Sequence, residues 1–277
     1  MAFLPTSVRV PLSYAMIFGL LAGVYLLPAD TSLSEVRKGG ILRACMPQLY
    51  PPLVTGDPTA PGIDVELGQA LASGLGLRFG IHPNQAMAQD FNPRSWRVTR
   101  AQCEVLAGGV VASPVTRSFL ETSPSYAQTG WAFLLAKALA QIEGRRAGVL
   151  TGISGLDRIG LSRYLRGKNV ELMIVSNSSE LVDGLRQSRF DFGVTEMLLA
   201  RRIALREGLA VEWAPAELPR YPLVFGLWKG DVTLKRAIAD GLAQLENRGD
   251  IARILARYIK DEKLARSFDA GTARGLR

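Results

Sequence analysis

Residues able to do covalent chemistry are few in this 277-residue chain. His82 is the single histidine, and the patterns HExxH, CxxC and GK[ST] are all absent. One histidine without a partner makes neither a His-based metal site nor a convincing Ser-His-Asp set. No cofactor, metal or catalytic group is therefore expected. Cys45 and Cys103 are the two cysteines. In an oxidising compartment an even count permits one disulfide. The alternative is two buried thiols on neighbouring strands, whose register holds the α-carbons too far apart to bond. The side chains that remain are suited to recognition.

The elements that position them come in a regular order. Val10 to Ala29 carries no charge and follows Arg9. A basic start, an apolar middle and a small-residue exit make the layout of a secretory signal. About 20 apolar residues can also span a bilayer, so an uncleaved anchor is the alternative. Either way the remainder is exported, with a periplasmic location expected. With 48% hydrophobic residues there is enough apolar material for a large core or two smaller lobes. The net charge is +8, but its arginines and lysines are dispersed and not interleaved with stacking aromatics. A solvated basic surface is expected, with no nucleic-acid partner.

Strand and helix patterns alternate, which predicts an α/β fold of mainly parallel sheets flanked by helices. Ile41–Cys45 reads as a first strand, and Ile63, Leu67, Ala70 and Leu71 recur at helical spacing. Cys103–Ala107 is a further strand running into Gly108-Gly109. A second α/β set begins after Gly130, and near Tyr221 the pattern changes again. Leu234, Ile238, Leu242 and Leu245 then mark one helical face, and Ile251, Ile254, Leu255 and Tyr258 another.

In their order these segments resemble the extracellular solute-binding proteins of family 3. The likeness spans roughly residues 37–262 and rests on Gly40–Cys45 with Tyr50-Pro51-Pro52, on Gly62–Leu67, on Cys103–Gly109, on Arg117 with Ser123–Tyr126, on Arg189–Glu196 and on Gly226–Asp231. It implies a two-lobed, type II periplasmic-binding-protein fold with a ligand cleft between the lobes. Residues 37–130 plus 226–262 would form the first lobe, 131–225 the second, and 263–277 a tail.

The resemblance also implies site residues. Arg117 would grip a ligand carboxylate with two parallel hydrogen bonds. Glu196, where relatives carry Asp, would receive an ammonium group, or else serve the helix it precedes. The turn Gly152-Ile153-Ser154 precedes a helix whose free N–H groups suit an anion; a plain Ser154 cap is the alternative. Tyr50 would form an aromatic wall. Gly109 opens the loop to Arg117, and here the sequence departs from the family. Val110-Val111-Ala112 stands where relatives have hydroxyl residues, which leaves Ser113 and Thr116 as candidates.

The implied function is capture of a small polar solute, an amino acid or related organic acid, for an ABC-type membrane permease, by a monomer that is not an enzyme. A second reading is an accessory protein for a periplasmic quinoprotein dehydrogenase. A third is a cleft enzyme of dehydratase type, with Glu196 as acid or base.

Overall fold

The structure is a computed structural model that describes residues 30–88, 92–151 and 156–259, with Gly19 before them. Apart from Gly19, the leader at 1–29 lies outside the described residues, as does the tail at 263–277. Among the described residues no helix is long and apolar enough to cross a membrane.

The chain opens with helix α1 (Ser32–Gly39), strand β1 (Ile41–Met46), helix α2 (Ile63–Gly74) and strand β2 (Arg78–Pro83). Strand β3 (Val105–Leu106), the short helix α3 (Pro114–Phe119) and strand β4 (Glu121–Thr122) follow. Far along the chain, strand β12 (Gly226–Leu227) returns to this set, followed by helices α7 (Val232–Asn247) and α8 (Asp250–Ile259). One five-stranded sheet results, in the order β2-β1-β3-β12-β4. Strand β1 shows why these residues make a strand. Its alternate residues Leu42, Ala44 and Met46 enter the core under α2, α7 and α8, while Cys45 points to a second cluster around Trp96 and Leu120.

The second sheet contains β6 (Trp131–Leu135), β7 (Arg146–Val149), β8 (Glu171–Ile174), β9 (Phe192–Glu196) and β10 (Ala210–Trp213), in the order β10-β6-β9-β7-β8. Helices α4 (Arg158–Gly167), α5 (Ser178–Arg186) and α6 (Met197–Glu207) connect its strands. Both faces of this sheet are covered. Trp131, Phe133 and Leu135 enter one cluster, and Ala132 and Leu134 the other. A continuous apolar run such as Trp131–Leu135 is the signature of a strand buried on both faces.

Two strands join the sheets. Strand β5 (Ala127–Thr129) and strand β11 (Tyr221–Leu223) pair antiparallel, Thr129 opposite Tyr221 and Ala127 opposite Leu223. The strand after each crossing, β6 or β12, enters its sheet antiparallel to both neighbours. The other pairings in both sheets are parallel.

Cys45 and Cys103 are bonded, with α-carbons 5.6 Å apart and a separation of 58 positions in sequence. The bond ties β1 to the segment leading into β3, and both residues are fully buried. Closing a loop of this length removes about 4 kcal/mol of chain entropy from the unfolded state. The double substitution Cys45→Ala, Cys103→Ala is therefore expected to lower the unfolding free energy by roughly 2–4 kcal/mol, read in urea titrations against the oxidised protein.

Candidate functional site

Around the joining strands the sequence places an acid where local pattern gives no reason for one. Asp64, in the first turn of α2, is fully buried. Its Oδ2 accepts from the Gly108 amide at 2.6 Å and the Gly109 amide at 3.2 Å, and its Oδ1 accepts from the Tyr126 hydroxyl at 2.7 Å. Both glycines have positive φ, 81° and 102°. A Cβ on Gly109 would lie 2.6 Å from the Tyr50 ring, so the turn and the tyrosine require glycine there. Burial raises the Asp64 carboxyl from its ordinary 3.8 to about 6, partly offset by the three hydrogen bonds.

Glu196 closes β9 and caps α6. Its Oε2 accepts from the Leu199 amide at 2.9 Å, and its Oε1 accepts from the Thr129 hydroxyl. Burial holds this carboxyl above the usual range too, opposed by Thr129 and the Leu198 and Leu199 amides. The sequence reading offered Glu196 as a ligand acceptor or a helix residue; in this state it caps the helix. A carboxylate has about four lone-pair sites, and Thr129, Leu198 and Leu199 account for three of them here.

Tyr50 is 4% exposed. Its ring packs on Gly109, and no hydrogen bond from the described residues reaches its hydroxyl. Burial, then the charges of Glu196 and Asp64, hold the phenol well above its usual range, opposed by Arg158 at the start of α4. Asp64 belongs to one lobe and Glu196 and Arg158 to the other, so the tyrosine stands where the two lobes meet. Leu198 of α6 is fully buried in the same cluster as Tyr50, and α6 packs against α8.

The remaining candidates fall apart from this group. Ser113 caps α3, accepting from the Thr116 amide at 3.1 Å, with the Thr116 hydroxyl 3.1 Å away. Both hydroxyl candidates are thus engaged in a helix start. Arg117 lies in the last turn of α3, is exposed, and makes no side-chain hydrogen bond or ion pair with the described residues. The apolar Val110–Ala112 has a structural reason. The Val110 carbonyl accepts from the Val224 amide, Val111 bridges Leu223, and the Ala112 amide donates to Pro222, so the segment is built onto the returning strand. Gly152 and Ser154 lie outside the described residues. No cluster of three or more His, Cys, Asp or Glu that could hold a metal occurs among the described residues.

Residues 42–261 match the bacterial extracellular solute-binding proteins, family 3. The chain belongs to that family. A solute-binding role follows from membership, and the family is one of extracellular proteins. Among solved structures, the same architecture recurs in an ancestral cationic amino acid solute-binding protein, 19% identical with a TM-score of 0.67, covering 82% of this chain and 99% of that one. It recurs also in an amino acid ABC transporter substrate-binding protein from Streptococcus pneumoniae Canada MDR_19A bound to L-arginine, 20% identical with a TM-score of 0.61, covering 83% and 98%. These likenesses establish the fold, a two-lobed type II periplasmic binding protein. A membrane-bound lytic murein transglycosylase F of Cronobacter sakazakii (strain ATCC BAA-894) is 23% identical over 245 residues, 83% of this chain. The chain spans 45% of the length of that relative.

Asp64, Tyr126 and Thr129 were not among the site residues expected from sequence; Asp64 and Tyr126 entered only as members of the segments Gly62–Leu67 and Ser123–Tyr126. The one local signal was an acid beside Ile63 on an apolar helical face, and an acid in a first helical turn reads as a dipole partner. Asp64 gives a measurable signature. Its carboxyl binds a proton more tightly folded than unfolded, so the stability from that proton is full below about pH 4 and is lost as pH rises through about 6. The wild-type protein should lose roughly 2 kcal/mol relative to Asp64→Asn between pH 4 and pH 7, read as the difference between paired denaturation curves.

Proposed function

We propose that the protein captures a small polar solute, an amino acid or a related organic acid, between its two lobes outside the cytoplasm and delivers it to a membrane permease of ABC type. Residues 37–130 with 226–262 would act as one lobe and 131–225 as the other, the leader serving as an export signal or an anchor. The observation that carries the reading is the Tyr50 hydroxyl, buried where both lobes meet and without a hydrogen-bond partner among the described residues. Leaving such a group unpaired costs about 1–3 kcal/mol, which a bound ligand with an acceptor there recovers.

Arg117 supports the same reading. An exposed guanidinium with no internal partner is available for a carboxylate, which it binds with two parallel hydrogen bonds. Glu196 has capacity for one further donor, such as an ammonium group. Gly109, Ser113, Gly152 and Ser154 complete the proposed ligand set. Closure onto a ligand is favoured because only the closed state offers contacts from both lobes.

The raised Glu196 carboxyl is the property a general acid of a dehydratase-type cleft would need. Its engagement as a helix cap favours binding over turnover.

Native mass spectrometry of the protein purified from its own periplasm is expected to show one co-purifying solute. Calorimetry with pooled amino acids and organic acids should identify its class. Arg117→Ala should then weaken that solute by about 10- to 100-fold, the worth of a charge-assisted pair, and Tyr50→Phe by several-fold. A folded protein that takes up no pool, or a solute chemically altered on incubation, defeats the binding reading.

A further inference from the structure

Asp64 and Glu196 stand at opposite ends of one joining strand. Asp64 belongs to α2 in the first lobe and takes the hydroxyl of Tyr126, the residue before β5. Glu196 belongs to β9 in the second lobe and takes the hydroxyl of Thr129, the last residue of β5. Between these two fastenings lie only Ala127 and Gln128. The return strand β11 is paired with the same residues, and Tyr126 donates its amide to the Leu223 carbonyl at 3.1 Å.

The first fastening reaches further than the second. The oxygen of Asp64 that does not meet Tyr126 holds the amides of Gly108 and Gly109, the turn on which Tyr50 packs. The backbone around Asp64 holds the other side of Tyr50. The Asp64 amide donates to the Leu53 carbonyl at 3.1 Å, and the Ile63 amide to the Pro52 carbonyl at 3.0 Å. One fully buried carboxylate thus ties together the Gly turn, the crossing strand and, through its own backbone, the tyrosine loop.

We propose that Asp64 is a positioning residue for the cleft: it locks the Gly108-Gly109 turn to the start of the crossing strand and, with Glu196 at the strand's far end, sets the bend on which the lobes meet. The proposal builds on the reading of the cleft as the solute site, but its mechanical part holds without any solute. A hinge confined to two residues between anchors moves as a defined joint. Removing one anchor frees the strand at that end and lets the lobes sample more orientations.

The test uses the full chain carrying nitroxide labels at Val115→Cys and Ile174→Cys, one exposed position on each lobe. The native cysteines are bonded and buried, so only the new thiols react. Interlobe distance distributions are recorded by pulsed electron paramagnetic resonance with no solute added, in Asp64→Ala, Asp64→Asn and Tyr126→Phe. Asp64→Ala, which loses every acceptor, should broaden the distribution at least about twofold. Asp64→Asn, which keeps an acceptor for the amides and can donate to Tyr126, should restore the wild-type width. Tyr126→Phe should broaden it while keeping the Gly turn. A wild-type distribution in Asp64→Ala overturns the proposal, and so does one in Tyr126→Phe should the alanine variant not fold. Failure of Asp64→Asn to restore the width, with folding intact, overturns it as well. Because no solute is present, these outcomes stand apart from any failure to find a ligand.

Discussion

Two short strands have to carry the chain between the lobes, and every other feature of the middle of the molecule accommodates that. An isolated pair of strands is marginal in water. Here β5 and β11 satisfy each other's backbone over three residue pairs, and the rest of the support comes from side chains. Tyr126 packs against Phe225 with the rings tilted and their centroids 5.3 Å apart, and the Phe225 amide donates to the Ser123 hydroxyl at 2.9 Å. Thr129, Ala127 and Leu223 are all buried. The crossing is a packed part of the core, and its polar side chains need buried acceptors. Asp64 and Glu196 are those acceptors.

That requirement explains the chemistry of the two acids better than a ligand alone does. Isolated carboxylates are expensive to bury, and here each is surrounded by amide and hydroxyl donors. The donors cancel part of the desolvation, and the carboxyls still sit above their usual range. The first lobe's Gly108-Gly109 amides are spent on Asp64. Those amides are therefore already engaged, while the Arg117 side chain is exposed and unengaged by the described residues.

What could be seen in the sequence follows from range. Elements with strong local periodicity were legible: β1, α2, α7 and α8 declare themselves within a dozen residues. The return of β12 to the first sheet was not legible from periodicity and came from the resemblance. Strands β5, β6, β10 and β11 were missed. β6 shows no alternation because both its faces are buried, and β5 and β11 are too short to show a period. Cys45 and Cys103 left a choice that only spatial register could decide. Asp64 was hidden for the same reason, since its partners lie 44, 45 and 62 residues away.

The segment Val110–Ala112 is shaped by the same crossing. Hydroxyl residues there would face the crossing strands, where Val110 and Val111 are 1% and 2% exposed and Leu223 and Val224 pack beside them. A hydroxyl at Val111 would have to find a partner in an apolar cluster or cost roughly 1–3 kcal/mol. The nearest hydroxyls on the far side, Ser113 and Thr116, are drawn into the start of α3 by Pro114, whose fixed φ suits the first helical position. In the first lobe the small hydroxyls of this segment are thus taken up by the helix start, while the Tyr50 hydroxyl and the Arg117 guanidinium stay unengaged by the described residues.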